Sequence, residues 1–598
     1  MSVAPSFESG SRPAEPAPPL AKALVAEPVV PLPRSQPLQD VQGFEADAGR
    51  SNVSSLIDIY LQEQRQLTAV ERFSQRHTSQ AEHLQARYYK ELLPATAPKP
   101  GQQYAFEVDL DRCSGCKGCV SACHSLNGLD DNETWREVGF LVGKEKRPTP
   151  KGRRIPLQVE TVPAIQTITT ACHHCVDPGC LSGCPVLAYE KDPVTGIVSH
   201  LDDQCIGCTY CVMKCPYEVP KYSPKRGIVR KCDMCQGRLA VGEAPACVQA
   251  CPSVAIAIRV VDVEETRHRA VQNEFLPASP DPRITLPTTR YLTKREGLEV
   301  DAADRHRVVP QPGHGPLVAL LVFTQLAAGG FIAAGLLDST SPVRPILAAA
   351  AWIALQIGLA SSVLHLGQPL KAWRGFLGWR RSWLSRELIA LSGFAGIASG
   401  LTLAVWHERL PLVSGLLAPI SPLLQAVANS PLSWWLTGVA GLVGVFSSVM
   451  VYVDTHRAFW SLRETSLRFF GSSLALGTTL AWTISHLTQG SASNTLAKVL
   501  LILGTIRLLN AATLLRARPD SSLAKTVTLH LHHFGRTTLA WLVCWMVGGL
   551  LAPLAALGGH ASAATCLLAF VALLMGDLLE RRLFFTTVSS IKMPGGTI

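Results

Sequence analysis

Sixteen of the chain's eighteen cysteines lie between Cys113 and Cys251, and any fold of this chain must place them. They fall into four quartets. Cys113, Cys116, Cys119 and Cys123 read C-x2-C-x2-C-x3-C, and Cys205, Cys208, Cys211 and Cys215 repeat that spacing. Cys172, Cys175, Cys180 and Cys184 read C-x2-C-x4-C-x3-C, while Cys232, Cys235, Cys247 and Cys251 read C-x2-C-x11-C-x3-C. Pro185, Pro216 and Pro252 each follow a fourth cysteine, where a fixed φ and a missing N–H suit the start of a helix. Closely spaced thiolates on a tight loop can cap three corners of an iron–sulfur cubane. The fourth cysteine lies past the turn and faces away, and in two-cluster ferredoxins such a residue serves the other cluster. Sixteen thiolates for sixteen corners imply four [4Fe–4S] clusters. Zinc ribbons also use C-x2-C pairs, but so tight a run suits a single tetrahedral ion poorly. Structural disulfides belong to small secreted domains, and the N-terminal residues show neither a charged-then-apolar signal pattern nor a twin-arginine pair.

Net charge is +10, which on its own suggests a nucleic-acid partner. Its location excludes one. From residue 311 onward there are 19 Lys+Arg against 8 Asp+Glu, whereas the first 310 residues hold 36 against 37. The surplus sits in the apolar half, as membrane topology requires. Cys544 and Cys566, outside the quartets, lie in apolar runs and read as small packing residues.

In chain order, residues 1–45 read as a disordered Pro/Ala/Val-rich tail. Residues 46–100 form a helical arm, with Leu56, Ile59, Tyr60, Leu67, Val70 and Phe73 at threes and fours. Residues 101–262 form an α+β, bis-ferredoxin-like domain, opened by a strand at Tyr104 and closed by one at Val254–Val260. Inside it, nearly fifty residues with a basic run (Lys144, Lys146, Arg147, Lys151, Arg153, Arg154) separate the first two quartets. They read as a partner-docking surface or a solvated hairpin. Residues 263–314, polar and Pro-rich, read as a linker. Residues 315–598 form an all-α membrane anchor. Apolar runs of bilayer length occur near 316–337, 345–366, 387–406, 432–453, 467–487, 496–515, 537–557 and 561–579, which gives eight spans. The stretch 411–427, broken by Pro419 and Pro422, reads as interfacial. With eight spans, fifteen loop cations, among them Lys371, Arg374, Arg380, Arg381, Arg457 and Lys592, share a side with the cysteine domain. Only Arg344 and Arg409, with Lys498 at a helix end, lie opposite, so the cysteine domain is expected on the cytoplasmic side of the inner membrane.

His365 ends the second span on the cysteine side, where an imidazole can hydrogen-bond a quinone carbonyl and exchange its proton. Capping of its own helix is the bland alternative. Arg507, inside the sixth span, is a functional candidate as an intramembrane charge, or a packing partner of Asp454 or Asp577. Glu580, beside Arg581 and Arg582, is a third quinone-site candidate. His456, His530, His532 and His533 read as interfacial.

Residues 104–260 resemble the four-cluster electron-transfer subunit of the dimethyl sulfoxide reductase (complex iron–sulfur molybdoenzyme) family, through the quartets, Cys113-Ser-Gly-Cys-Lys-Gly-Cys-Val-Ser-Ala-Cys-His and Lys231-Cys-Asp-Met-Cys. Residues 314–590 resemble that family's eight-helix anchor. The matches there are His365-Leu-Gly-Gln-Pro, Ser382-Trp-Leu-Ser-Arg-Glu387, Gly444-Val-Phe-Ser-Ser-Val-Met-Val-Tyr452 and Gly576-Asp-Leu-Leu-Glu-Arg-Arg-Leu-Phe-Phe585. The resemblance implies ligand crossing: Cys113, Cys116, Cys119 and Cys251 on one cluster; Cys232, Cys235, Cys247 and Cys123 on its neighbour; Cys172, Cys175, Cys180 and Cys215 on another; Cys205, Cys208, Cys211 and Cys184 on the last. It also implies a separate molybdopterin catalytic subunit, an exchangeable quinone at the His365 position and no haem in the anchor. The dimethyl sulfoxide reductase type holds its cluster subunit outside the cytoplasm. The loop charges here look more like the cytoplasm-facing, sulfite-oxidising branch. The expected function is thus an electron-transfer and membrane-anchor subunit between a catalytic partner and the quinone pool. Its rivals are a haem-b or ion-coupled membrane module, an extracytoplasmic terminal reductase of the dimethyl sulfoxide type, and a ferredoxin on a passive anchor.

Overall fold

The computed structural model describes residues 86–131, 133–148, 159–295, 297–489, 494–516 and 522–595. The tail 1–45 and most of the arm 46–100 lie outside them.

The cysteine domain is built on a strand, Gln102–Asp109, paired antiparallel with Ile256–Asp262 and parallel with Arg290–Leu292. Each quartet sits on a loop running into a short helix: Gly118–Asn127, Gly179–Gly183, Tyr210–Lys214 and Ala246–Gln249. Backbone conformation repeats with the spacing. Gly115 and Gly207 take φ of +74° and +68° between a first and a second cysteine, and Lys117 and Thr209 take +60° and +58° between a second and a third. Such left-handed residues turn the chain sharply enough for successive side chains to face one point.

The insertion between the first two quartets is a long hairpin, Glu137–Pro148 against Val159–Thr170. A third strand, Leu298–Ala302, joins it antiparallel, Leu298 opposite Glu145. The stretch 263–314, expected as a linker, is therefore woven into both three-stranded sheets of the domain. It also packs inside: Thr288 Oγ donates to the His173 carbonyl at 2.7 Å and Thr289 Oγ meets His173 Nδ1 at 2.9 Å. Strands of three to five residues leave no periodic trace in sequence, whereas paired hydroxyl and imidazole groups let a polar stretch be buried.

Among the described residues, the second half is a bundle of eight long helical rods: Gly315–Gly335, Val343–Val363, Trp383–Trp406, Pro431–Val453, Leu462–Gln489, Asn494–Leu515, Gly535–His560 and Ala563–Thr586. Seven of them are, among the described residues, long and apolar enough to cross a membrane. The eighth, Leu462–Gln489, carries Arg463, Glu464 and Arg468 in its first two turns. It compensates by lying inside the bundle, with Ala475, Leu476 and Trp482 sealed from the surface. The stretch 411–427 folds as short helices, Pro411–Leu416 and Ser421–Asn429. Contacts from residues 364–382, 454–457 and 592 reach the cysteine domain. Those cation-rich loops thus lie on the cysteine-domain side.

Span one crosses span five with backbones touching. A Cβ built on Gly329 would stand 1.8 Å from the Ser473 oxygen, and one on Gly477 would stand 2.2 Å from the Gly329 carbonyl carbon. Small residues four apart allow this approach, which dispersion rewards where lipid removes the hydrophobic drive. Gly477→Leu should therefore cost upwards of about 3 kcal/mol by overpacking against backbone. Gly400→Leu, whose Cβ meets nothing within 4 Å, should cost little; thermal unfolding in detergent compares the two.

Candidate functional site: a file of cysteine-lined cavities ending at the membrane

The sixteen cysteines meet four by four around four small cavities. Cys113, Cys116, Cys119 and Cys251 line one. Cys123, Cys232, Cys235 and Cys247 line a second. Cys172, Cys175, Cys180 and Cys215 line a third, and Cys184, Cys205, Cys208 and Cys211 a fourth. The donor sets fit a cubane better than an ion. The thiols surround a volume instead of converging, and among the described residues no trio of His, Cys, Asp or Glu closes on a single metal. Backbone N–H groups point at the sulfurs, from Ala188 to Cys184 at 3.2 Å, Ala255 to Cys251 at 3.3 Å and Met234 to Cys232 at 3.4 Å. Such bonds stabilise charge on sulfur.

Buried side chains between the cavities establish their order. Arg136, 2% exposed, lies between the first and second. Burial opposes its charge, but Cys247, Cys119, Cys232 and Cys123 more than offset this and raise its pKa. Its Nη1 donates to Thr169 Oγ at 3.2 Å, and that oxygen is 3.5 Å from Cys119 Sγ. Lys231, 3% exposed, lies between the second and third. Burial again opposes the charge, and Cys172, Cys180 and Cys232 raise the pKa against it. Its Nζ is 3.8 Å from Cys172 Sγ and donates to the Cys232 carbonyl at 2.8 Å. Tyr189 lies between the third and fourth, its pKa raised by burial and then by Cys211 and Cys180. The file runs from Cys116, which is exposed, to the fourth cavity, which abuts the bundle.

There the membrane loop after span two clasps both segments that line the fourth cavity. Gln368 N donates to the Ile206 carbonyl at 3.0 Å and Gln368 Nε2 to the Arg226 carbonyl at 2.9 Å. Gly378 N donates to Pro185 O at 2.7 Å and Ser382 Oγ to Gly183 O at 2.7 Å. A little further along, Lys214 pairs with Asp454 at 2.6 Å, and Tyr210 OH donates to Val451 O at 2.9 Å.

His365 begins this loop. Its Nδ1 is 2.6 Å from the Ser362 carbonyl, so it caps its own helix, and the ring also meets the Cys208 backbone. Burial holds its pKa below the ordinary 6.5, opposed by those two contacts. With Nδ1–H committed to Ser362, the neutral ring keeps a lone pair on Nε2. His314, heading span one, lies beside it and 5.5 Å from the Phe585 ring.

Arg507 and Glu580 belong to a different group. Arg507 pairs with Asp577 at 3.0 Å and donates to the Arg468 carbonyl at 2.6 Å. Glu580 pairs with Arg581 and faces Arg468 at 3.5 Å. Arg581 also donates to Gln325 Oε1 at 3.0 Å and Ser472 Oγ at 2.9 Å. His530, read as interfacial, is buried, between Thr587 Oγ at 3.0 Å and Thr538 Oγ at 3.3 Å. The residue that sequence reasoning passed over is Glu387. It is buried in the second turn of span three and accepts a hydrogen bond from Ser448. Ser385, two residues before it, donates to Pro185 O, so this carboxylate lies under the fourth cavity. A carboxylate inside an apolar span was the available signal.

Residues 164–261 match the model of a 4Fe-4S dicluster domain and residues 313–587 that of the DMSO reductase anchor subunit (DmsC). The B subunit of the anaerobic dimethyl sulfoxide reductase of Haemophilus influenzae is 32% identical over 194 residues, 32% of this chain and 91% of that protein. Its namesake in Escherichia coli is 36% identical over 166 residues, 28% of this chain and 78% of that protein. The formate dehydrogenase-O iron-sulfur subunit of Escherichia coli is 34% identical over 173 residues, 28% of this chain and 56% of that subunit.

A cation favours the reduced state of a neighbouring cluster. Arg136→Leu should therefore lower the potentials of the clusters that the first two cysteine groups would hold by on the order of 100 mV. Redox titration followed by electron paramagnetic resonance reads the shift.

Proposed function

This protein belongs to the dimethyl sulfoxide reductase family, with that family's iron–sulfur subunit and membrane anchor in one polypeptide, and from this premise we propose that it passes electrons between a molybdopterin catalytic subunit and the quinone pool. The single observation that carries the reading is the ordered file of cavities, exposed at Cys116 and ending against the membrane loop that holds His365. Each cavity would hold one [4Fe–4S] cluster, which supplies one-electron transfer when bound. The chain's residues do the rest. Cysteines on crossing loops hold the groups, and Arg136 and Lys231 balance charge in a low-dielectric interior. The anchor fixes the last cavity at the bilayer face.

The exposed Cys116 end is where a catalytic partner would dock. At the other end a quinone headgroup would sit by His365, above Glu387, with Nε2 taking the proton of a quinol hydroxyl. Arg507 and Glu580 are assigned to the ion network of the bundle instead. Loop cations such as Lys371, Arg374 and Arg457 face the cysteine domain. By the positive-inside rule they support a cytoplasmic placement in the inner membrane.

Two measurements test this. Anaerobically isolated protein should carry about sixteen iron atoms per chain, four for each cysteine group, and no stoichiometric zinc; far less iron would overturn the assignment. Because the neutral imidazole is the base and its pKa is depressed below 6.5, quinol-driven cluster reduction should hold its rate down to pH 6.5. It should fall only as pH drops through that lowered pKa. His365→Gln should lower the rate by roughly 10²-fold and remove this acid limb. A limb unchanged in the variant would place the base elsewhere.

A further inference from the structure

Beside the fourth cavity, three glycines bring the cysteine loops and the membrane loop into backbone contact. Gly207 lies between Cys205 and Cys208, at φ +68°, and a Cβ there would stand 2.3 Å from Gly227 O and 2.9 Å from Gly367 Cα. A Cβ on Gly227, at φ +65°, would stand 2.5 Å from Gly367 O, and one on Gly367 would stand 2.1 Å from Gly227 O. Gly367 is two residues from His365. Both ends of the contact are tied, by Gln368 N to Ile206 O at 3.0 Å and Gln368 Nε2 to Arg226 O at 2.9 Å. On the far side of the cavity the same loop returns, and a Cβ on Gly378 would stand 2.7 Å from Pro185 O and 2.8 Å from Cys184 O.

We propose that Gly367, against Gly207 and Gly227, is a spacing device that sets the distance between the last cluster and the redox carrier at His365, and thereby the rate of electron exchange between them. The inference rests on the quinone reading above. A local turn explains only part of the pattern. Gly207 and Gly227 need their positive φ, but Gly367 does not take one, so what excludes a side chain there is the opposing backbone. The two backbones are already in contact, and hydrogen bonds on either side hold them so. Any side chain on Gly367 must lift the loop, and with it His365, away from the Cys205–Cys208 turn. Donor–acceptor geometry of this kind is steep in rate: misplacement of reactants by about 1 Å can cost on the order of 10²-fold. These three glycines act through the groups they position.

The test uses the full chain with its clusters, anaerobically, as wild type, Gly367→Ala and Gly367→Val. Stopped-flow records cluster reduction by a quinol and, separately, by reduced methyl viologen, which reaches the exposed end. Hydrogen–deuterium exchange reads the Gln368 amide. In Gly367→Ala the quinol rate should fall at least about tenfold, and further in Gly367→Val. The viologen rate, iron content and cluster potentials should stay as in wild type, and the Gln368 amide should lose its protection. An undiminished quinol rate with that protection lost would overturn the spacer, as would equal slowing with viologen. Should the alanine variant not assemble, Gln368→Ala removes only the Arg226 tie, and it should slow quinol but not viologen. Unchanged quinol kinetics in that variant would overturn the proposal too. A wild type that quinol does not reduce would overturn the quinone reading and this inference with it. One that is reduced, and matched by Gly367→Ala, overturns the spacer alone.

Discussion

Burying sixteen cysteine sulfurs is the constraint from which the rest of the molecule follows. Each cavity draws three thiols from one stretch of chain and a fourth from another: Cys251 beside Cys113–Cys119, Cys215 beside Cys172–Cys180. Chain segments far apart in sequence are thereby brought together at four points, in a domain whose sheets have only two or three strands each. Negative charge gathered at those points needs compensation, because a low-dielectric interior makes an unpaired charge costly. Arg136 and Lys231 provide it, one at each of the first two junctions. Their partners are sulfur, the Thr169 hydroxyl and, for Lys231, backbone carbonyls rather than carboxylates, so their charge would be left for the groups the cavities would hold.

The same economy governs the junction with the bilayer. A cysteine-rich domain and a helical bundle have no common packing rule, one being loops and short strands, the other long rods. They are joined by backbone: carbonyls of Gly183, Pro185, Ile206 and Arg226 accept from the membrane loop. Glycine on both sides removes the side chains that would otherwise hold the surfaces apart. Lys214 and Asp454 then add an ion pair shielded from solvent, which fixes orientation more than it adds affinity. A passive anchor would not require this. A flexible tether holds a ferredoxin at a membrane equally well, whereas a tight backbone contact next to His365 is of use only if distance matters.

What can be read in advance follows the range of each signal. Spacing within a quartet is local chemistry, and bilayer-length apolar runs are local composition, so both are plain in the sequence. The span Leu462–Gln489 blurs at its start because Arg463, Glu464 and Arg468 lie where composition cannot tell an interior site from a loop. Residues 263–314 look like a linker because their order comes from partners elsewhere: Leu298–Ala302 from the Glu137–Pro148 strand, Thr289 from His173. Which quartet lends its fourth thiol to which cavity is likewise tertiary, and is reachable only by resemblance. Glu387 is visible within a motif but carries no periodic mark. Gly367 looks like any loop glycine until the opposing Gly227 carbonyl is placed against it.

Arg507, Asp577, Arg468, Glu580 and Arg581 show how far an intramembrane charge can be read as function by default. Two carboxylates and three guanidinium groups are interleaved, each guanidinium also lying over an aromatic ring: Arg507 on Trp545, Arg468 on Phe459 and Arg581 on Phe469. A carboxylate flanked by two guanidinium groups, as Glu580 is, has its oxygens engaged and little left to offer a substrate. An arginine does not give up its proton in the working range at all. The helices bearing these groups, spans five, six and eight, are tied to span one through Gln325. Such a network specifies which helices meet and in what register, since a mispaired arrangement would strand a charge in hydrocarbon. His365 differs on each count. It is neutral, able to titrate and placed at the water-facing edge against the last cysteine loop. The position of a polar group along the file of cavities, more than its rarity in a membrane, separates a residue suited to exchanging protons from those that hold the frame.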